Sequence, residues 1–310
     1  MIVGIDTSCY TTSVAAVDAT GRILFEHRKL LRVKPGEKGL RQSEAVFQHI
    51  RQLPDLWDDD FTQTPIDAVV AANIPRPTAG SYLPVFTVGA AFGKTWAKLC
   101  GAPFIATSHQ EGHLRAGWYG RTPPERPYLA WHISGGTSEL LEVTPARDGS
   151  AVRRVGGSTD LHVGQFVDRI GLALGGPFPA GPFLEELALR ASAATGALPV
   201  AIRGTDLSFS GPATAAERLI RQGVTGPEVA RQVFACIGQS IWRATLEAVA
   251  VYQLEQVLFV GGVSSNRLVR RFLQEAAVPA GLEVAFAPTE LSSDNAVGVA
   301  LVGYDRVNGD

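Results

Sequence analysis

Cysteine is scarce in this chain: there are three (Cys9, Cys100 and Cys236), and no two stand in a CxxC pair. An odd, scattered set of thiols excludes a disulfide framework and a zinc ribbon, and fits reduced cysteines in a cytoplasm. No run reaches the roughly 18 uninterrupted apolar residues that a membrane span requires, so no membrane partner is expected. The chain opens on MIVGIDTS, which already reads as a strand, with no basic segment ahead of an apolar one. A signal peptide is therefore not expected, and a cytoplasmic location is. Charge of one sign is lacking too: 28 Lys and Arg against 30 Asp and Glu leave a formal net charge of -2. A nucleic-acid partner would have to be met by a local basic patch or through another protein, because the whole-molecule field offers no attraction.

What is present is a globular chain of 310 residues, 45% hydrophobic and 19% charged, long enough for two domains. It repeats itself once. Residues 2–31 read as strand, polar turn, strand, Gly turn, strand (IVGIDTS, CYTTSVAAVD, ATG, RILFEHRKLL), and residues 128–155 do the same (YLAWHIS, GGTSELLEV, TPARDG, SAVRRV). After each triplet the period changes. The first half predicts a helix over 43–57, a buried strand over 66–72, a helix over 85–99 and a strand over 103–108. The second predicts helices near 164–174, 181–194 and 227–253, the last with Val229, Val233, Ile237, Ile241 and Thr245 on one face. A strand over 256–262, a helix over 265–276, a strand over 282–288 and a final helix from Asp294 follow.

This pattern predicts an α/β protein of two duplicated, ribonuclease-H-like lobes with a ligand cleft between them. Two unrelated α/β domains are the alternative. The lobes are expected at 1–122, with 292–310 packing back onto it, and at 126–291, joined by the Thr-Pro-Pro stretch near 121–126.

The segment SHQEGHLRAG places His109 and His113 four residues apart, on one side of a helical turn, at the end of the predicted strand PFIATS. That is the spacing of a chelating pair, and also of two surface or capping histidines. Zinc-peptidase helices carry Glu directly after the first His. Here that place holds Gln110, and Glu111 points elsewhere, which disfavours a peptidase. Asp294, in LSSDNAVGVALVG, is the candidate third ligand, and it could equally N-cap the helix it precedes. Gly-rich turns follow strands in HISGGTSEL, FVGGVSSNRL and LSFSGPATA, where backbone N–H groups can cradle phosphate. The turn GIDTSCYTTS supplies Asp6 and hydroxyls in the mirrored place. None is a P-loop. The loop in GLALGGPFPAGPFLEEL reads as ordinary helix-start chemistry; it could also seat an adenine or ribose, with Asp168 accepting from ribose hydroxyls. His132 reads as a packed strand residue and Cys9 as a lone turn thiol. Arg267, Arg270 and Arg271, with Arg153 and Arg154, form a basic face that is either solvated or a nucleic-acid contact.

Taken in order, GIDTSCYTTSVAAVD, SHQEGH, SGGTSELLEV, FSG, GGVSSNRLVR and SSDNAVGVALVG resemble, end to end, the tRNA N6-adenosine threonylcarbamoyltransferase family, also labelled O-sialoglycoprotein endopeptidase or glycoprotease. That family belongs to the actin-like, sugar-kinase and heat-shock ATPase superfamily. The resemblance implies that His109, His113 and Asp294 bind a divalent metal (Fe, Zn or Mg). It implies that His132, Ile133, Ser134, Gly135 and Gly136 lie on the phosphate side, and that Asp168, Gly181, Glu185 and Asn266 hold adenosine. The nucleotide is ATP or threonylcarbamoyl-adenylate, and the reaction passes the threonylcarbamoyl group to N6 of adenosine 37 in tRNA. Partners so implied are tRNA and the proteins of the threonylcarbamoylation machinery.

The chain departs from the family pattern at Tyr10-Thr11, where an acidic pair is usual, at Thr137, where His is usual, and at Pro212-Ala213, where Leu-Lys is usual. NIPRPTAGSYLPVF also lacks the family's Gly-rich character. These departures resemble a divergent paralogue. The alternative functions are accordingly a regulatory, nucleotide- and metal-binding partner of a transferase, or another small-molecule carbamoyl or phosphoryl transfer.

Overall fold

The computed structural model describes residues 1–33, 39–57, 64–146, 149–191 and 196–309. By contacts between α-carbons the chain divides into two compact units. One holds Met1–Arg126, Thr144–Val152 and Pro288–Asp310; the other holds Pro127–Val143 and Arg153–Ala287.

The first unit is built on a five-stranded sheet. Its strands are β1 (Ile2–Thr7), β2 (Thr11–Val17), β3 (Ile23–Leu30), β4 (Ala68–Ile74) and β5 (Phe104–Ser108), in the order β3-β2-β1-β4-β5. The β1–β2–β3 meander is antiparallel, and β4 and β5 join it in parallel. Its helices are α1 (Gln42–Gln52), α2 (Phe86–Cys100), α3 (His109–Gly117) and α9 (Val297–Asn308). Every residue of β1 and β2 is buried. The two-residue period of a strand then sorts the side chains. Ile2, Ala15, Val17 and Val70 face the α9 residues Val297, Ala300 and Leu301. Val3, Ile5, Val14 and Ala71 face Val88 and Ala97 of α2.

The second unit repeats the plan. Its strands β6 (Tyr128–Ile133), β7 (Ser138–Thr144), β8 (Ala151–Ser158), β11 (Gln256–Val260) and β12 (Glu283–Phe286) follow the order β8-β7-β6-β11-β12, equivalent strand for strand to the first sheet. The pairing senses match as well: β6 and β7 are antiparallel, while β6, β11 and β12 are parallel. The duplication expected from the sequence is thus present in the topology. A short hairpin, β9 (Ile202–Arg203) and β10 (Asp206–Leu207), extends this sheet beyond β8. Five helices accompany it among the described residues: α4 (Val163–Ala173), α5 (Gly181–Leu189), α6 (Ser210–Arg221), α7 (Gly226–Tyr252) and α8 (Arg267–Ala280). The α7 stripe Val229, Val233, Ile237, Ile241 and Thr245 is fully buried, and the Thr245 hydroxyl accepts from the Trp131 indole N–H at 2.9 Å.

Several boundaries differ from the sequence expectation for local reasons. The helix expected over 43–57 stops at Gln52 and tightens into a 3-10 turn, Leu53–Leu56, because Pro54 has no N–H to continue the ladder. The helix expected over 181–194 ends at Leu189, and residues 192–195 lie outside the described residues. The helix expected over 265–276 runs over Arg267–Ala280: the Asn266 side chain caps it, and Gly281 (φ 67°) closes it in the left-handed region. The final helix begins at Val297 rather than Asp294. No helix among the described residues is long and apolar enough to cross a membrane.

Helix α9 reaches its seat by close backbone approach. A Cβ on Gly298 would lie 1.8 Å from the Gly112 carbonyl oxygen of α3. Gly298→Ala should therefore destabilise the protein by about 3 kcal/mol, since neither backbone can give way. A urea-midpoint shift near zero for this variant would contradict the packing described.

Candidate functional site

In the first unit, β5 passes directly into α3, and Ser108 is the cap. Its hydroxyl accepts from the Glu111 N–H at 3.1 Å, while the Glu111 carboxylate accepts from the Ser108 N–H at 3.0 Å and from the Thr107 hydroxyl at 3.1 Å. Arg306 lies 3.4 Å from the other Glu111 oxygen. Glu111 is thus turned back onto the helix start and is not aimed at the histidines as a general base.

His109 opens α3 and His113 follows one turn later, with ring centroids 4.6 Å apart. Asp294 Oδ1 lies 3.3 Å from His113 Nε2 and 3.7 Å from His109 Nε2. One ligand atom from each of the three residues lies within 4.8 Å of the others. The capping alternative for Asp294 does not apply: α9 starts three residues later, and Asn295 Oδ1 accepts from the Gly298 N–H at 3.2 Å. The Asp294 carboxylate instead accepts from the Ser8 hydroxyl at 2.7 Å through Oδ2. Its loop is tied to β3 by Arg28, which donates to Ser293 Oγ (2.9 Å) and to the Glu290 carbonyl (2.8 Å).

Asp6 was expected in the turn that mirrors the Gly-rich turns of the other half. It is buried, and its Oδ2 accepts from His109 Nδ1 at 2.7 Å. A carboxylate only accepts, so Nδ1 carries a proton, and Nε2 is the nitrogen that faces Asp294. Burial alone would lower the His109 pKa, but Asp6 and then Asp294 outweigh it and raise it to about 9. For Asp294 burial pushes the other way, and the His113 hydrogen bond with both imidazole charges holds its carboxyl well below the usual range. Burial, then the nearby Asp294 charge, raises the Cys9 thiol pKa, which argues against thiolate chemistry there.

The remaining candidates lie in the second unit. Ser134, Gly135 and Gly136 form the β6–β7 turn, closed by the Ser134 N–H donating to the Thr137 carbonyl at 2.8 Å. Nothing lies within 4 Å of a Cβ built on Gly135 or Gly136, so this turn can admit a ligand to its backbone. His132 and Ile133 are buried on β6 just before it. Asp168 on α4 accepts from the Ala180 N–H at 2.7 Å, next to Gly181 at the start of α5; burial raises its pKa. Glu185 on α5 is engaged by Arg267, whose backbone N–H (2.8 Å) and Nε (3.0 Å) both donate to Oε1. Asn266 spends its Oδ1 on the α8 cap, accepting from Leu268 and Val269 N–H groups at 3.1 and 3.0 Å. The structure thus groups Asp168, Gly181, Glu185 and Asn266 through α4, α5 and α8.

The basic residues do not form one free face: Arg153 pairs with Glu142, Arg267 with Glu185 and Glu186, and Arg271 with Glu275. Sequence reasoning singled out neither Ser8 nor Asp160. The Asp160 carboxylate receives the Ser208 hydroxyl (2.6 Å) and the Phe209 N–H (2.9 Å), fastening the FSG segment at the start of α6. An acid two residues after a strand carries no local signal of such a role.

Solved structures place this fold. Full-length HypF in its phosphate- and nucleotide-bound form matches all of this chain with a TM-score of 0.61 at 12% identity, the match covering 47% of HypF. A ROK-family glucokinase from Streptomyces griseus, in complex with glucose and AMPPNP, matches 97% of this chain and 98% of its own, with a TM-score of 0.54 at 12% identity. The class is the actin-like ATPase and sugar-kinase fold. Within it the sequence is more particular. The family model TsaD, tRNA N6-adenosine threonylcarbamoyltransferase, matches residues 39–301. Relatives of that name are 30% identical in Archaeoglobus fulgidus (97% of this chain, 89% of the relative) and 32% identical in Thermus thermophilus (98% and 92%). This chain belongs to the tRNA N6-adenosine threonylcarbamoyltransferase family.

The raised His109 pKa has a consequence for the metal-free protein. The folded value of about 9 exceeds the unfolded 6.5, so the stabilisation is fully present below 6.5 and is lost as pH rises through about 9. Urea unfolding across that window should show stability falling with pH, and the slope should flatten in Asp6→Asn.

Proposed function

We propose that this chain transfers the threonylcarbamoyl group from its adenylate to N6 of adenosine 37 in tRNA, with a divalent metal held by His109, His113 and Asp294. The observation that carries the reading is the convergence of these three side chains in a member of this family. Two imidazole nitrogens and a carboxylate oxygen are a donor set suited to iron or zinc, and magnesium is the harder alternative. The Asp6 carboxylate behind His109 is the usual outer partner of a ligating histidine.

In the reaction the N6 lone pair attacks the carbamoyl carbonyl carbon, the mixed-anhydride C–O bond breaks, AMP leaves with that electron pair, and N6 loses a proton. A bound divalent ion would supply Lewis-acid neutralisation of the leaving phosphate's charge. Asp6 fixes the His109 ring so that Nε2 is the donor atom, and Ser8 holds Asp294 Oδ2 so that Oδ1 is the ligating oxygen. In the second unit, the turn after His132 and Ile133 (Ser134, Gly135, Gly136) offers backbone N–H groups to phosphate oxygens. Asp168, Gly181, Glu185 and Asn266 seat the adenosine. ATP is the other nucleotide this set would accept. tRNA and the proteins of the threonylcarbamoylation machinery are the partners of this reading, and the cytoplasm its location.

The departures from the family pattern favour a second reading, a divergent nucleotide- and metal-binding paralogue that regulates a transferase or acts on a small molecule. Ala213, where the family has Lys, is fully buried in the core of the second unit, so a charged side chain has been exchanged for packing. A peptidase is disfavoured by the Glu111 capping box.

The test is incubation of the protein with unmodified tRNA, threonylcarbamoyl-adenylate and the partner proteins, read by mass spectrometry of digested nucleosides. Modified adenosine is expected. His113→Ala should lose bound metal and cut the yield about 100-fold. Asp168→Ala should weaken nucleotide binding about tenfold with metal content unchanged. Absence of product, where another family member succeeds, selects the second reading.

A further inference from the structure

A buried imidazole outside the metal triad is tied to it through the β1–β2 turn. His49, on α1, is fully buried. Its Nε2 lies 2.8 Å from the Ser8 carbonyl oxygen and its Nδ1 2.8 Å from the Thr12 hydroxyl. A carbonyl only accepts, so Nε2–H is the donor to Ser8, while Nδ1 meets a Thr12 hydroxyl that also donates to Gln52 Oε1 at 2.9 Å. Burial lowers the His49 pKa. Ser8 is the residue whose hydroxyl donates to Asp294 Oδ2. One turn residue thus has its carbonyl gripped by α1 and its hydroxyl on the candidate ligand carboxylate.

We propose that His49 is a positioning residue for the Asp294 carboxylate, acting through Ser8. The proposal rests on the metal reading above. Without the imidazole donor, the buried Ser8 carbonyl loses its hydrogen bond, and the turn can recover one only by moving. Because β1 and β2 flank the turn with every residue buried, the freedom to move is concentrated in residues 8–10. A shift there withdraws the Ser8 hydroxyl from Oδ2. The carboxylate is then free to rotate, and Oδ1 is no longer held 3.3 Å from His113 Nε2. The link spans 41 residues from His49 to Ser8 and 286 from Ser8 to Asp294, so it exists only in the folded chain.

The experiment measures Zn(II) affinity of the purified full chain by competition with a chromogenic chelator, with Co(II) absorption as a second report on ligand geometry. Thermal unfolding of each metal-free variant shows that it is folded at the assay temperature. Ser8→Ala should weaken Zn(II) binding about tenfold, the range expected for partners that orient a ligand. His49→Leu should produce a loss of the same size and alter the Co(II) spectrum. His49→Gln, whose amide can donate where Nε2 does, should return affinity to within about twofold of the parent, which a mere packing role would not do. The double variant Ser8→Ala/His49→Leu should be no weaker than the weaker single variant, because both remove the same restraint.

Parent-like affinity in a folded His49→Leu, a Gln variant as weak as Leu, or losses that multiply in the double variant would each overturn the proposal while leaving the metal reading intact. A parent protein that binds neither Zn(II) nor Co(II) at the triad would sink both. If His49→Leu fails to fold, the decision rests on His49→Gln against His49→Asn, whose shorter amide cannot reach Ser8 and should bind metal as weakly as Ser8→Ala.

Discussion

The candidate metal group depends on how closely α9 approaches α3 and β1. Gly298 presses on the Gly112 carbonyl, and a Cβ on Gly4 would lie 2.5 Å from the Ala296 carbonyl. Because these positions carry no side chain, the end of the chain is drawn down onto the strand and helix that bear Asp6, Ser8, His109 and His113. Asp294, just ahead of α9, therefore arrives beside two imidazoles that belong to a distant part of the sequence. Any side chain thick enough to lift α9 would carry the carboxylate away from them.

Most charges around the candidate ligands are paired, although Asp6 Oδ1 is buried without a hydrogen-bond partner among the described residues. His109 is placed between Asp6 and Asp294, and its pKa is raised to about 9 despite burial. Asp294 has Ser8 on one oxygen and the imidazoles on the other. Glu111, which could have competed for the same space, is committed to the α3 cap and to Arg306. Removing any one partner would leave a buried charge without compensation, which is why such groups hold a fixed geometry. The second unit treats its polar residues in the same way: Asp168, Glu185 and Asn266 each hold a neighbouring backbone N–H in place. Their roles in folding and their proposed roles at a nucleotide are therefore coupled, and substitutions there act on both.

The duplication explains why one chain offers both kinds of feature. Each sheet presents a tight turn after its first strand, and the copies have diverged there. The turn after β1 carries Ser8, Cys9 and Tyr10 and is gripped by α1, whereas the turn after β6 carries Gly135 and Gly136 with open space where their side chains would stand, although Gly164 packs against the Gly135 backbone. Thr11 and Ala213, two of the departures from the family pattern, are both buried. A charged side chain at either position would have to displace this packing.

Much of this was legible in the sequence by itself. The paired strand triplets, the period change after each, and the α7 stripe determined a doubled ribonuclease-H-like architecture, because two- and 3.6-residue periods are local properties of the chain. The four-residue spacing of His109 and His113 determined that they share a helix side for the same reason. Local pattern could not decide where α9 starts, since Asp294 and Asn295 are both good capping residues, yet the N-cap is Ala296 and it is Asn295 whose side chain accepts from the Gly298 N–H. Nor could it show that Asp6 turns to His109, that Ser8 meets Asp294, or that Arg267 occupies Glu185. Those contacts join residues 103, 286 and 82 positions apart. They are set by the closeness of packed helices and sheet, a property of the tertiary structure that no window of sequence contains.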